Sequence, residues 1–380
     1  MPRHLSLRWS LGLLATALAA APDNPPGEVL QLKPMTVTEH APLRKEPGHE
    51  LLTARYGAAA VSLGDYIYII GGSNDTGTPL DSIERFDPRT GRAEEFARLR
   101  VARRDHSAVV VGGRIYVLGG NSRAPVGPTD ANGDLIIDEP DKHSIVYGST
   151  TEADPAPGDF MKAPSRGWLN PLESTVEVID PATRSVVPAP LMPVAKARFA
   201  CAALGGRIQV MGGLRQRGGQ YFTTNTTEDF DPSTGQWSAG INMPTPRQSC
   251  ATVVGDFIVV AGGRQGTTYL SVVESYFPAG KVWHRLPALG ETFEADASVF
   301  LGHQLFLFGS SRGPNRIMAY DLERKSSLAY KLSYENAQYA AAVVHDGKIY
   351  LLGGTTVEGT KALRAIQIFA PVADAPVPGK

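Results

Sequence analysis

Six polar residues recur 14 to 16 positions ahead of a repeated glycine corner: Arg55, Arg104, Arg198, Arg247, Glu294 and Gln338. If the repeats close into a ring, these side chains rim one opening. Four guanidinium groups there form a local positive funnel, and their planar forks match a carboxylate, a phosphate or an acidic peptide. That makes the six the candidate ligand-binding set.

A second constellation lies in DANGDLIIDEPD, residues 130–141, where Asp130, Asn132 and Asp134 alternate and Asp138 and Asp141 follow. Oxygen ligands at alternate positions converge on a hard cation if the chain curls around it, so calcium is the one candidate cofactor. Leu135 stands where such a loop needs glycine, and Asp141 replaces the bidentate glutamate, so an ordinary acidic loop is the competing expectation. The two cysteines, Cys201 and Cys250, each follow an arginine by three residues and occupy matching places in adjacent repeats. An oxidising compartment would permit a disulfide between them, but adjacent repeats need not bring their alpha carbons within bonding reach. Two buried thiols are the alternative. The 8 histidines are scattered without a zinc or copper pattern, and no Gly-x-Ser-x-Gly elbow or phosphate-binding glycine loop occurs.

These residues must be positioned by the repeat itself. DYIYIIGG at 65–72 returns as GRIYVLGG, GRIQVMGG, GDFIVVAGG, HQLFLFGS and GKIYLLGG, with first glycines at 71, 119, 212, 262, 309 and 353. An apolar run ended by a glycine pair reads as a buried strand leaving at close quarters with a neighbour. A strand of small residues precedes each copy and an outer strand follows it, ending in Asp-Pro at 87–88, 180–181 and 231–232. A fourth strand follows in five repeats. The intervals of 48, 93, 50, 47 and 44 give a period near 47, with about 45 extra residues inside the second repeat. Four antiparallel strands repeated radially predict an all-β, six-bladed propeller.

The glycine pairs, the tyrosine three residues ahead of them (Tyr68, Tyr116, Tyr350), the Asp-Pro turns and the arginine before the inner strand together resemble the kelch repeat over roughly residues 50–371. That resemblance implies a non-catalytic binding scaffold presenting loops to a protein or carbohydrate. It also offers a structural role for the arginines, as donors to loop carbonyls between blades. The layout is similar to that of periplasmic sialic acid mutarotases as well. That likeness implies a carboxylate held by Arg55, Arg104, Arg198 and Arg247, with Glu294 and His106 exchanging protons.

The ends carry further expectations. Arg3, His4 and Arg8 precede an apolar run from Trp9 to Leu18, too short to span a bilayer, and Ala17-Leu18-Ala19 has the form of a signal peptidase site. Residues 1–19 are thus expected to be a signal peptide, giving a periplasmic or secreted chain with no membrane insertion after cleavage. Residues 20–50 read as a proline-rich tether. The sixth repeat lacks a strand of its own, and EVLQLKPM at 28–35 is expected to supply it. The propeller is assigned to 51–371, with an insertion at 121–172 in blade two read as a lid or partner-binding arm, and a tail at 372–380. With 37 basic and 38 acidic side chains, no global field points to nucleic acid. A monomer is the expected state.

Overall fold

The computed structural model describes residues 42–122, 160–161, 172–217, 220–309, 316–332, 334–335, 338–356 and 361–372. Every regular element among them is a β-strand, and none contains a helix long and apolar enough to cross a membrane. The strands form six four-stranded antiparallel sheets, the blades of a propeller.

Blade one runs inner to outer through Ala59–Leu63, Tyr66–Ile70, Ser82–Asp87 and Arg92–Arg98. Its second strand, YIYII, is apolar throughout because it is flanked by strands on both sides and by blades on both faces. The outermost strand, RAEEFAR, buries only Phe96. Inner strands carry small residues: Ala200 and Ala202 of blade three are buried close to the axis. Blades two to five occupy 107–189, 200–239, 252–286 and 297–331.

Glycine pairs make the seams between blades. Gly71 and Gly72 both have positive φ, 57° and 96°, a region open to glycine but costly for other residues. A Cβ at Gly71 would lie 2.6 Å from the Arg103 carbonyl oxygen of the next blade. The Gly72 amide donates to that same oxygen at 2.9 Å. The same bond recurs from Gly120 to Lys196, Gly213 to Arg247, Gly263 to Phe293 and Gly354 to Arg55, at 2.8–2.9 Å. The last of these joins blade six to blade one.

Blade six contains Ala341–His345, Lys348–Leu352 and Ala365–Pro371, and its outer strand is Leu43–Glu50 from the other end of the chain. An N-terminal strand does close the ring. It is Leu43–Glu50, within the stretch read as tether, and not 28–35; that segment lies outside the described residues. The apolar character of EVLQLKPM misled because an outer strand needs little of it. LRKEPGHE buries only Leu43 fully, and a register shift between Glu46 and His49 accommodates Pro47 and Gly48 at the edge. Lys348 Nζ donates to Glu46 Oε2 at 2.7 Å across the same sheet.

The blade-two insertion leaves the second strand through Asn121–Ser122, which pairs with Arg103–Arg104. Further along it, Phe160–Met161 pairs with Gln220–Thr223, the second arm of a hairpin whose first arm is Leu214–Arg217. An annex of three short strands thus stands outside the blades.

Candidate functional site

The six predicted residues belong to two different registers, and only one of them faces the axis. Arg55 and Arg247 are fully buried and take no part in lining the axial cavity. Their companions in the fold are Arg103 and Lys196, neither of which is in the predicted set. All four have no exposed surface. Each cation meets a glutamate near the start of the third strand of its own blade: Arg55–Glu84, Arg103–Glu177 at 2.6 Å, Lys196–Glu228 at 2.6 Å and Arg247–Glu274. Further donors reach carbonyls at the glycine corner. Arg103 Nη1 donates to Gly119 O at 3.1 Å and to Thr175 O at 3.0 Å. Glu177 also accepts the amides of Arg100 and Val101, at 2.7 and 3.2 Å, tying in the chain that arrives from the previous blade. Burial lowers the pKa of Arg55, Arg103 and Arg247, and the glutamates offset that. These pairs are buttresses of the fold. Blade five replaces the pair with Phe293 and Met318, which share one apolar cluster.

The second register faces a cavity of about 200 Å³ on the axis, lined by small residues in five of the inner strands and just ahead of the sixth, Thr252–Val254. Arg104 and Arg198 flank the buried Asp105. Arg198 Nε lies 3.4 Å and Arg104 Nε 3.8 Å from its carboxylate, and Asn121 Nδ2 donates to it at 3.2 Å. Against the cost of burial, Arg198 and Arg104 hold the Asp105 carboxyl below its usual range, and Asp105 holds Arg198 charged. Arg104 also donates to the Tyr56 hydroxyl at 3.0 Å, and the Arg198 guanidinium lies 4.8 Å over the Tyr339 ring. On the far side, Arg264 Nη1 stands 3.9 Å from Glu294 and Arg264 Nη2 donates to Gln248 Oε1 at 3.2 Å. Arg264 belongs to a second hairpin, Arg264–Gln265 with Thr268–Tyr269, outside blade four. The mouth therefore holds both signs of charge, and the uniform positive funnel expected from four arginines does not form.

The remaining predicted residues fall as follows. Glu294 lines the mouth, half-buried. Gln338 forms a backbone bridge to Thr355 in blade six. His106 lines the cavity wall against the glycine corners: Cβ atoms built at Gly71 and Gly120 would lie 2.9 and 2.7 Å from it. Burial, then the neighbouring Arg103, pushes its pKa down to about 3, so it is neutral near pH 7 and has no proton to give as an acid. The four-arginine carboxylate clamp is not assembled, because Arg55 and Arg247 are sealed against Glu84 and Glu274. Cys201 and Cys250 are free thiols on the cavity wall, with no disulfide between them. Enclosure raises both pKa values, that of Cys250 to about 12. The candidate calcium ligands Asp130, Asn132, Asp134, Asp138 and Asp141 lie outside the described residues. No group of three or more metal-ligating side chains occurs among the described residues.

Two mouth residues were missed from sequence, Asp105 and Arg264. The signal for Asp105 is its place directly after Arg104; nothing in the repeat marks Arg264. For Arg103 the signal is present: it stands 16 residues before Gly119, the same offset as Arg55 before Gly71.

Comparison with known proteins agrees with this architecture. The family profile described as Kelch motif matches residues 54–92 and 246–290. The spermatocyte protein spe-26 of Caenorhabditis elegans is 33% identical over 114 residues, 29% of this chain and 20% of that protein. Kelch domain-containing protein 8B of Rattus norvegicus is 29% identical over 151 residues, 37% of this chain and 43% of that protein. The chain therefore spans less than half the length of these curated relatives. Among solved structures, that titled "Structure of YjhT" superposes with a TM-score of 0.64 at 16% identity, covering 86% of this chain and 97% of that one. Repeated glycine corners, four-stranded blades and these matches agree in supporting a kelch-repeat protein.

Proposed function

We propose that this protein is an exported interaction scaffold that binds a protein partner across the mouth of the axial cavity. Kelch propellers generally mediate protein interactions. The observation that carries the reading is the mouth itself. Charged and aromatic side chains from several blades converge there beside two hairpins, 214–223 and 264–269, that stand outside the four-stranded sheets. A mixed-charge rim around small, rigid strands suits a partner that presents both signs of charge and covers the opening.

Affinity capture with the mature chain, compared with Arg264→Glu, tests this. Arg264 is on a hairpin outside blade four but faces Glu294 and Asp296, so the comparison is made at a temperature below the melt of both chains. The expected result is a partner whose recovery falls at least about tenfold with the variant, the scale of one interface hot spot. Equal recovery moves binding away from the mouth, and capture of a polysaccharide alone replaces the protein partner with a carbohydrate. Export rests on the leader at residues 1–19. Mass spectrometry of the native protein is expected to find an N-terminus at Ala20, and an intact Met1 would refute export.

A further inference from the structure

A girdle of bonds joins the blades around the axis, just before each inner strand. Gly57 N donates to Tyr339 O at 2.8 Å, Asp105 N to Gly57 O at 2.7 Å, Arg198 N to Asp105 O at 2.9 Å and Ser249 N to Arg198 O at 3.3 Å. At this position in the repeat the chain is left-handed even where the residue is not glycine: Asp105, Arg198, Ala295 and Tyr339 have φ of 53–55°, and blade four, which bonds through Ser249, is the exception. Such backbone is costly and persists only where the surroundings compensate. At Gly57, Asp105, Arg198 and Tyr339 the compensation is the inter-blade backbone bond that the turned peptide makes.

Blade five breaks the pattern. From blade four, Cys250 Sγ donates to Ala295 O at 3.3 Å in place of an amide. Towards blade six, Tyr339 N donates at 2.9 Å to the side chain of Asp296, not to a backbone carbonyl. Asp296 occupies the seam position held by Ala58, His106, Phe199 and Ala340 in other blades. A Cβ at Gly309 would lie 2.5 Å from its Oδ2, so the carboxyl fills the room that the glycine leaves.

We propose that Asp296 is a proton-sensitive latch: its carboxyl replaces the missing backbone link between blades five and six, and its ionisation sets how firmly the ring is closed at the mouth. The groups facing it are Glu294 on its own segment, the Tyr339 amide from blade six, Arg198 from blade three and Arg264 from the blade-four hairpin, with Asp105 beyond Arg198. Enclosure, then the like charge of Glu294, pushes its pKa up to about 7, against the Tyr339 amide and the two arginines. A folded-state pKa above the ordinary value of 3.8 means that the favourable contribution is fully present below that value. It is lost progressively as pH rises above 3.8, and the loss is complete once pH passes about 7. Ionisation keeps the Tyr339 amide bond but places an enclosed negative charge beside Glu294, at the same mouth that the proposed partner covers, and that charge is what strains the closure.

Thermal melts from pH 5.5 to 8.5 on the wild type, Asp296→Asn and Glu294→Gln test the latch without any partner. Asparagine keeps an acceptor oxygen for the Tyr339 amide and cannot ionise. The melting temperature of Asp296→Asn relative to wild type is therefore expected to rise with pH up to about 7, by roughly 3 °C or more, and to level off above it. Glu294→Gln removes the like charge and shifts the wild-type step to lower pH. A difference between Asp296→Asn and wild type that is flat across the range overturns the proposal. So does a step left in place by Glu294→Gln, which decides the matter even if Asp296→Asn fails to fold.

Discussion

Glu177→Gln is expected to destabilise the protein by about 3–5 kcal/mol, because it leaves the Arg103 guanidinium buried without a counter-charge. Arg103 has no exposed surface and three of its other bonds go to neutral oxygens, so no water replaces the lost carboxylate. Glutamine still accepts one hydrogen bond and the shape is kept, so the loss is one of charge. The expected fall in melting temperature is roughly 10 °C. The double variant Arg103→Phe with Glu177→Met is the decisive comparison. It copies Phe293 and Met318 of blade five, and replacing a buried pair with apolar residues is often neutral or stabilising. Calorimetry on the two variants should show a large loss for the single substitution and recovery of most of it in the double. A double variant as unstable as the single would mean that the ion pair has no apolar equivalent in blade two.

A chain beginning at Leu51 should melt far below one beginning at Pro42. The eight residues between them supply the outer strand of blade six, paired from Leu43 opposite Pro371 to Glu50 opposite Ala365. Removing them uncovers the edge of Ala365–Pro371, exposes the Leu43 site and breaks the Glu46–Lys348 pair. Burial of one leucine contributes about 2 kcal/mol, and each backbone bond of the ladder about 1 kcal/mol. The loss therefore reaches about 5 kcal/mol or more and falls on the seam that holds both ends of the chain. Circular dichroism melts of the two chains measure it. Equal melts would show that the ring closes without this strand.

Much of the fold was legible because the information is local and repeated. An apolar run ending in Gly-Gly means the same thing five times over, and Gly71, Gly119, Gly212, Gly262 and Gly353 each adopt the positive φ that this pattern implies. The closing strand was the local exception. Leu43–Glu50 is polar on an exposed edge, so hydrophobicity pointed to another segment while only the pairing with Ala365–Pro371 identified the right one. The site was harder to read. Arg103 and Arg104 are neighbours in sequence, yet the first is sealed against Glu177 and the second turns to Asp105 and Tyr56 at the mouth. In extended chain, successive side chains point to opposite sides, so an error of one residue exchanges a buttress for a binding group. An offset of 14 to 16 residues cannot resolve that.

The sequence by itself determined the blade number, the glycine seams and the small residues around the axis, since each follows from steric demands within one repeat. Only the tertiary structure decided which charges meet. Asp105 with Arg198, Arg264 with Glu294, and Asp296 with the Tyr339 amide join different elements of the ring. Closure of the ring sets those distances, and with them the burial and charge balance at the mouth.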